Sequence, residues 1–360
     1  MVIQWLRSYG FGGKRNIPSL DGLRAISVGF VLLSHLYVAG SLVERFGILG
    51  VRVFFVISGY LISSALLGEL SKTGTINLPK FYFRRGLRLF PAAWVFITVA
   101  GILGRQGLLA LHPHDLLFAY TYTSNYYEGR SVAIGHLWSL AVEEQFYLLW
   151  PIGLKLLGRV EAKRFLIGLM CAAPFFRLAS HALAPAMDFL MYSDSLGVGC
   201  LLAVMEPELQ LDPRFQRLLA SRWLVALPFV AIAANYIPST KVSWLVGETI
   251  QNVSIAVCVF WSVRNAQSSV GRFLNLPLIS LIGVLSYSLY LWQQLFTRFG
   301  IPGIGVLFPA NLGLMLVCAL LSYVVIEGPF LRLRGVLEPK LFPAKPPSRP
   351  VKDDLAEVSV

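Results

Sequence analysis

Long apolar runs recur from one end of this sequence to the other, and they restrict the fold more than any other feature. Most of these runs are roughly 17 to 25 residues long, which is the length that an α-helix needs to cross a bilayer. Hydrophobic residues make up 56% of the chain and charged residues 14%, and the mean hydropathy is +0.65. Soluble domains contain roughly 45–50% apolar and 25% charged residues. An integral membrane protein is therefore predicted, and the short alternating strands of an outer-membrane barrel are disfavoured.

The runs predict an all-α fold, a polytopic membrane helical bundle of about ten transmembrane helices. Residues 1–337 form the predicted integral membrane domain, and residues 338–360, which are rich in proline and charge, are expected to be a disordered cytoplasmic tail. The four cysteines lie within the apolar runs without metal-ligand or paired spacing, so they are predicted to be packing residues. The predicted transmembrane segments are 22–42, 48–68, 89–104, 137–154, 165–183, 189–205, 223–238, 244–263, 277–297 and 304–326.

The basic residues are distributed unevenly between the two sides of this predicted bundle. If the N-terminus is cytoplasmic, 24 of the 31 Lys and Arg residues fall on the cytoplasmic side and seven on the other. This positive-inside bias predicts that both termini are cytoplasmic. The net charge of +12 thus reflects topology, and no nucleic-acid partner is expected. The seven residues on the opposite side are Arg45, Arg52, Arg105, Arg130, Arg177, Lys241 and Arg298.

Two ionisable residues share one face of the first predicted segment. Arg24 and His35 are eleven positions apart, so at 100° per residue they lie on nearly the same side of a helix, about 16 Å apart along its axis. An ionisable side chain within a bilayer is costly and usually marks a functional site. We therefore predict that one of the two lies near a membrane surface and that the other lies deep in the bundle.

Two hydrophilic segments between the apolar runs also carry candidate ligand-binding residues. In segment 69–88, Arg84 and Arg88 are neighbours at i and i+4, so they can converge on one anionic ligand, although pairing with lipid phosphates would explain them equally well. Segment 105–135 is predicted to be extracytoplasmic. Its aromatic and polar residues, Tyr126 among them, suit either a bound sugar or an interfacial aromatic belt. The pair His112 and His114 is too weak a pattern to assign a metal.

A third set of polar residues follows one helical face at the start of the fourth predicted segment. His136, Glu143 and Tyr147 are spaced so that they align on that face. A carboxylate at this depth needs a partner, and Glu143 near His35 would orient the imidazole through its second ring nitrogen. The alternative is that Glu143 and its neighbour only neutralise the buried Arg52 or Arg177.

Five motifs in order along the chain resemble those of the acyltransferase 3 family of multi-span membrane acyltransferases. Each motif alone is weakly specific, but the set of five covers most of the chain. They are residues 17–25 (IPSLDGLRA) followed by His35, 53–60 (VFFVISGY), 81–91 (FYFRRGLRLFP), 136–147 (HLWSLAVEEQFY) and 286–292 (SYSLYLW).

The resemblance implies transfer of an acyl group, commonly acetyl, from cytoplasmic acyl-CoA to a hydroxyl of a cell-envelope glycan at a bacterial inner (plasma) membrane. It makes His35 the family's essential histidine, either as a base or as a transient acyl carrier, Arg24 its partner, and Glu143 the family's carboxylate. Acyl-CoA is the only co-substrate expected, with no metal, and the sequence leaves the oligomeric state open. The remaining site residues predicted on this basis are Arg84, Arg85 and Arg88 for acyl-CoA and Tyr126, His136, Trp138 and Gln293 for the acceptor.

The chain departs from the family pattern at two positions. Gln293 stands where many relatives have histidine, so the side chain there can hydrogen-bond but cannot act as an acid or base. Tyr192 stands where relatives have arginine, two places before Asp194. Two other functions remain open from the residues themselves. A proton-coupled transporter of a small solute or glycolipid could use His35, Glu143 and Arg24 as a relay, and a membrane scaffold or sensor could retain the motifs without activity.

Overall fold

The computed structural model describes residues 17, 19–36, 42–183, 188–238, 241–304 and 307–343, and within those ranges the chain forms helices and no β-strand. The predicted all-helical class is confirmed. The α-helices are α1 (Leu20–Leu36), α2 (Phe46–Thr73), α3 (Leu78–Arg105), α4 (Asp115–Tyr120), α5 (Leu137–Leu183), α6 (Asp188–Leu211), α7 (Pro213–Ala220), α8 (Leu227–Asn235), α9 (Glu248–Arg264), α10 (Ser269–Leu274), α11 (Pro277–Val284), α12 (Ser286–Trp292), α13 (Ala310–Leu321) and α14 (Gly328–Leu341).

Short segments of other helical types connect or extend these helices. Two have the wider π-helical turn and join a neighbouring helix without a break, and the others are single 3₁₀ turns. The π segments are Ser243–Gly247 and Ser322–Glu327, and the 3₁₀ turns are Leu42–Arg45, Ser124–Tyr126, Val132–Ile134, Arg222–Ala226 and Gln293–Phe296.

Five helices in the described ranges are long and apolar enough to cross a membrane, and two bent pairs would raise that number to seven. The bent pairs are Pro213–Ala220 with Arg222–Asn235, at 64°, and Pro277–Val284 with Ser286–Phe296, at 54°. A multi-pass membrane protein is therefore supported, whereas about ten spans and two cytoplasmic termini remain predictions. Residues 1–16, 37–41 and 344–360, which contribute to those predictions, lie outside the described residues.

Helix α5 and helix α14 both extend beyond the boundaries expected from the sequence. The predicted segments 137–154 and 165–183 both lie in α5, where Gly158 has non-helical angles (φ 68°, ψ −178°) and bends the helix. Helix α14 ends at Leu341, so the predicted boundary between domain and tail at residue 338 falls inside a helix. Proline and charge suggested a tail there, but Glu338 is held by Arg84 and Lys80 of α3.

Helices α2 and α6 approach each other closely at two glycines. A Cβ added to Gly59 would lie 2.1 Å from the Leu196 carbonyl oxygen, and one added to Gly199 would lie 2.1 Å from the Val56 carbonyl oxygen. Only glycine permits this backbone contact, which is typical of packed membrane helices. The contact fixes α2, which forms one wall of the site described below.

A buried charge cluster joins α2, α5, α6 and α9. Arg177 is fully buried and pairs with Asp194, and its Nε lies 3.5 Å from Glu248. Arg52 also pairs with Glu248 and donates a hydrogen bond to Asn252 at 3.4 Å. The two buried arginines are therefore neutralised by Asp194 and Glu248. The alternative interpretation, in which Glu143 served that purpose, was wrong because α6 and α9 supply the carboxylates.

Candidate functional site

A cavity of about 360 Å³ opens among helices α1, α2, α3, α5, α12 and α14. Five arginines and two carboxylates, Asp21 and Glu143, line it together with aromatic and aliphatic side chains. Its charged lining is therefore predominantly cationic, which suits an anionic ligand. We call the five arginines the arginine layer: Arg24, Arg84, Arg85, Arg88 and Arg334.

The first turns of two helices bring four of these arginines together. Arg24 is on the first turns of α1, where its Nη1 lies 3.5 Å from Asp21, one helical turn earlier. Arg84, Arg85 and Arg88 are in the N-terminal part of α3, which begins after Asn77 accepts a hydrogen bond from the Lys80 amide at 3.0 Å. Arg84 and Arg88, whose spacing predicted convergence, thus line one cavity together with Arg24. Their binding of acyl-CoA remains a prediction.

Arg85 is held by aromatic and acidic side chains of α5. Its guanidinium carbon lies 3.4 Å from the centre of the Tyr147 ring, within cation–π distance. Its Nη2 lies 3.6 Å from Glu143, and Nε lies 3.9 Å from Glu144. Tyr147 donates a hydrogen bond to Glu143 and is also hydrogen-bonded to Ser58. The spacing of Glu143 and Tyr147 on one face of α5 therefore serves to fix Arg85.

Helix α14 contributes two residues that the sequence did not predict. Arg334 lines the cavity, and Glu338 accepts a hydrogen bond from Arg84 Nε at 2.7 Å and a second one from Arg84 Nη2. Lys80 Nζ lies 3.7 Å from the same carboxylate. From the sequence, the charged residues of this stretch were interpreted only as a sign of membrane orientation or as part of a disordered tail. The local pattern carried no signal that α14 would fold back onto α3.

His35 belongs to a second group of polar side chains, at the far end of α1. Its Nδ1 lies 2.8 Å from Gln293 Oε1, and its ring packs edge-on against Phe299 with centroids 5.6 Å apart. Gln293 Nε2 in turn donates to Gln294 Oε1 at 3.1 Å. We call His35, His136, Gln293 and Gln294 the histidine layer.

His136 joins this layer through α12. Its Nε2 donates a hydrogen bond to the Leu291 carbonyl at 3.1 Å, which leaves Nδ1 buried and without a hydrogen-bond partner in the part of the chain described. The Tyr290 hydroxyl donates to the His136 carbonyl at 2.9 Å, and the two rings lie 5.5 Å apart. His136 and Gln293, both predicted to bind the acceptor, are thus brought together with His35.

Two helices give the same separation between the two layers. Arg24 and His35 lie eleven residues apart on α1, and Arg85 and Phe96 lie eleven residues apart on α3. The Phe96 ring packs against the His136 ring with centroids 5.4 Å apart. At 1.5 Å per residue, each pair spans about 16 Å, roughly half the hydrocarbon thickness of a bilayer.

The cavity reaches from the arginine layer as far as Ser139 and Tyr290, and His35 is not among its lining residues. Tyr290, which contacts both the cavity and His136, therefore separates the two layers. The predicted contact of Glu143 with His35 was wrong, because Glu143 lies beside Arg85. The side-chain amide of Gln293, in the 3₁₀ turn that follows α12, lies beside the imidazole instead.

Tyr126 and Trp138, which were also predicted to bind the acceptor, have other partners. The Tyr126 hydroxyl donates to Gln145 Oε1 at 3.2 Å. The Trp138 ring packs against Tyr192 with centroids 4.6 Å apart, and it also contacts Phe55. The structure does not bring either residue into the histidine layer.

Comparison with known proteins gives both a family match and named relatives. A family model described as an acyltransferase domain, of the acyltransferase 3 type, matches residues 17–327. The chain is 33% identical over 365 residues to a Staphylococcus aureus (strain COL) protein provisionally named an O-acetyltransferase, with 89% of this chain and 58% of that protein covered. It is 31% identical over 310 residues to the O-acetyltransferase OatA of Staphylococcus aureus, with 78% of this chain and 50% of OatA covered. The chain thus spans little more than half the length of these relatives. No solved structure matches it.

Proposed function

This chain belongs to the acyltransferase 3 family, and we propose that it is a membrane O-acyltransferase that transfers an acyl group, most simply acetyl, from acyl-CoA to a hydroxyl of a cell-envelope glycan. The observation that carries this proposal is the cavity of about 360 Å³, with the arginine layer at one end and Tyr290 below the histidine layer at the other. Relatives named as O-acetyltransferases support acetyl as the transferred group.

The donor end of the proposed reaction is the arginine layer. Acyl-CoA combines a polyanionic nucleotide with a thin arm that ends in the thioester. Guanidinium groups bind phosphates through paired hydrogen bonds, so Arg84, Arg85 and Arg88 suit the nucleotide. The cavity volume of about 360 Å³ is near the lower limit of small-molecule sites, so in this proposal the cavity encloses the arm and the nucleotide binds at its arginine-lined end. Arg24 acts on the donor in this proposal, since it lies about 16 Å along α1 from His35.

The acceptor end is the histidine layer. His35 Nε2 takes the proton of the attacking hydroxyl, the alcohol oxygen forms a bond to the thioester carbonyl carbon, and the carbon–sulfur bond breaks. The departing thiolate then receives the proton from the imidazolium, so charge and atoms balance. Because Tyr290 and Ser139 stand between the cavity and this layer, the acyl group must pass them. Glu143 is a positioning residue that holds Arg85.

The proposal includes the membrane orientation derived from the basic residues. Ten helices with both termini in the cytoplasm would place the arginine layer at the cytoplasmic side of a bacterial inner (plasma) membrane, where acyl-CoA is available. The histidine layer would then lie toward the extracytoplasmic acceptor. The excess of Lys and Arg on one side supports this orientation.

Membranes that contain the protein, supplied with radiolabelled acetyl-CoA and envelope glycan, test the proposal directly. We expect labelled glycan from the wild type and none from His35→Ala, while the exposed matched change His114→Ala retains the wild-type rate. Transfer at the normal rate by a folded His35→Ala protein would refute the mechanism. Solute accumulation without labelled product would instead support the transporter. Mass spectrometry of surface glycans from deletion and wild-type cells identifies the acceptor by its missing ester.

A further inference from the structure

Two adjacent glutamines connect His35 to a backbone carbonyl of the loop before α5. We propose that Gln293 and Gln294 form a polarised hydrogen-bond chain that holds the imidazole proton on Nδ1 and leaves Nε2 as the basic nitrogen. The chain consists of three contacts, each between described residues, and it ends at Val132. The use of Nε2 in acyl transfer rests on the proposed function, whereas the position of the proton does not.

The Val132 carbonyl determines which group donates and which accepts in every hydrogen bond of this series. A backbone carbonyl oxygen can only accept hydrogen bonds. Gln294 Nε2 lies 2.8 Å from that oxygen, so the amide must point its NH₂ group toward Val132. The reversed amide would bring two oxygens together at hydrogen-bond distance. Gln294 Oε1 is therefore the atom that faces Gln293.

The orientation of the Gln294 amide in turn fixes the orientation of Gln293 and the protonated nitrogen of His35. Gln294 Oε1 lies 3.1 Å from Gln293 Nε2, which donates to it. The remaining atom of the Gln293 amide, Oε1, then faces His35 Nδ1 at 2.8 Å. An amide oxygen requires a donor, so Nδ1 carries the proton. The other tautomer would place a nitrogen lone pair against an oxygen lone pair in the same contact.

Burial makes this arrangement costly to reverse. Gln293 is fully buried and Gln294 is 2% exposed, so neither amide can exchange its partner for bulk water, and an unmatched polar group there loses a hydrogen bond outright. The backbone also fixes the pair, because the 3₁₀ turn Gln293–Phe296 directs consecutive side chains about 120° apart. Thr297 Oγ1 donates to the Gln294 carbonyl at 3.0 Å and closes that turn.

The consequence is a defined role for each ring nitrogen of His35. Nδ1 is committed to Gln293, and no described residue hydrogen-bonds to Nε2. Nε2 is therefore the nitrogen available to a hydroxyl group. Gln293 and Gln294 are positioning residues that act through the imidazole. Gln293 Oε1 accepts a hydrogen bond from Nδ1–H of His35.

Nitrogen NMR of the protein, labelled with ¹⁵N-histidine, tests the hydrogen-bond chain independently of catalysis. The sequence contains five histidines, and the loss of one pair of ring-nitrogen signals in His35→Ala assigns Nδ1 and Nε2 of residue 35. We expect protonated Nδ1 and unprotonated Nε2 in the wild type and a shift toward the opposite tautomer in Gln294→Met. The matched control is Gln251→Met, since that buried glutamine also donates to a backbone carbonyl, at 3.2 Å, but far from His35. Protonated Nε2 in the wild type, or an unchanged tautomer in Gln294→Met, would overturn the proposal.

A second variant decides the question should Gln294→Met fail to fold. Gln293→Glu keeps an oxygen opposite Nδ1, so we expect it to retain the proton on that nitrogen. A proton on Nε2 in Gln293→Glu would contradict the chain as clearly as the first result.

Kinetics separate this inference from the proposed function. We expect Gln294→Met to lower kcat by about tenfold, equivalent to about 1.4 kcal/mol, with an unchanged KM for acetyl-CoA because the donor end is remote. Gln251→Met should retain both constants. If His35→Ala transfers acetyl normally and the wild-type protein carries its His35 proton on Nδ1, the proposed function is refuted and the hydrogen-bond chain is supported. If His35→Ala is inactive and the wild-type protein carries that proton on Nε2, the hydrogen-bond chain is refuted and the proposed function is supported.

Discussion

The ion pair between Arg84 and Glu338 occupies one of the guanidinium groups that we assign to the donor. Arg84 contacts the carboxylate through Nε, at 2.7 Å, and through Nη2. A phosphate of acyl-CoA would therefore have to displace Glu338 before it could bind Arg84 in the same way. Replacement by Gln removes the negative charge at nearly constant volume. We expect Glu338→Gln to lower the KM for acetyl-CoA and to leave kcat unchanged.

The exposure of the pair sets the size of this effect. The Arg84 side chain is 48% exposed and that of Glu338 18%, so solvent screens much of their attraction. Pairs of this kind contribute roughly 0.2–1 kcal/mol, which corresponds to a decrease in KM of about 1.4- to 5-fold. Because salt weakens such pairs, the difference between variant and wild type should shrink as ionic strength rises.

Steady-state transfer by membranes, measured over a range of acetyl-CoA concentrations, checks this prediction. The matched control is Glu208→Gln, since Glu208 forms a similarly exposed ion pair with Lys163 away from the cavity. Its KM should equal that of the wild type. An increased KM in Glu338→Gln would refute the reasoning, because it would mean that the carboxylate holds Arg84 in position for the donor.

Three further substitutions test the ion pairs and the helix contact that hold the helices around the site in place. Arg85→Met leaves two neighbouring glutamates unpaired, and we expect it to abolish transfer and to lower stability by roughly 3–5 kcal/mol, measured by thermal unfolding in detergent. Arg177→Met leaves buried Asp194 unpaired and should cost a similar amount, with restored stability when Asp194→Asn is added; no recovery would contradict the pairing. Gly59→Val places atoms against a backbone carbonyl and should lower the melting temperature, whereas Gly29→Val, with open space around its Cβ, should not.

Local sequence patterns predicted those parts of the molecule that depend on short-range spacing. The apolar runs predicted helices, and the i, i+4 spacing of Arg84 and Arg88 predicted that their side chains lie together, as they do in the lining of one cavity. The face that carries Glu143 and Tyr147 was also correctly placed on one helix, α5, whereas His136 lies in the turn just before its first residue. These features depend only on the 3.6-residue period, which is a property of the local chain.

Contacts between distant segments could not be predicted in the same way. Arg334 and Glu338 reach the site because α14 returns to α3 across about 250 residues of sequence, and no periodicity within α14 specifies that neighbour. The same limitation explains the Glu143 prediction. A carboxylate at that depth requires a cation, but whether Arg85 or His35 supplies it depends on how far α1 and α5 are shifted along their axes.

Position 293 shows what the structure adds to a departure from a family pattern that is seen in the sequence. Glutamine in place of histidine suggested the loss of an acid–base group and a side chain free to bind the acceptor. The structure gives both ends of that amide a partner, His35 on one side and Gln294 on the other. An amide differs from an imidazole in that its oxygen and its nitrogen have fixed, opposite roles. Once Val132 orients Gln294, Gln293 can present only an acceptor to His35. Gln293, which cannot titrate, is therefore well suited to determine which ring nitrogen of His35 is free to take up a proton.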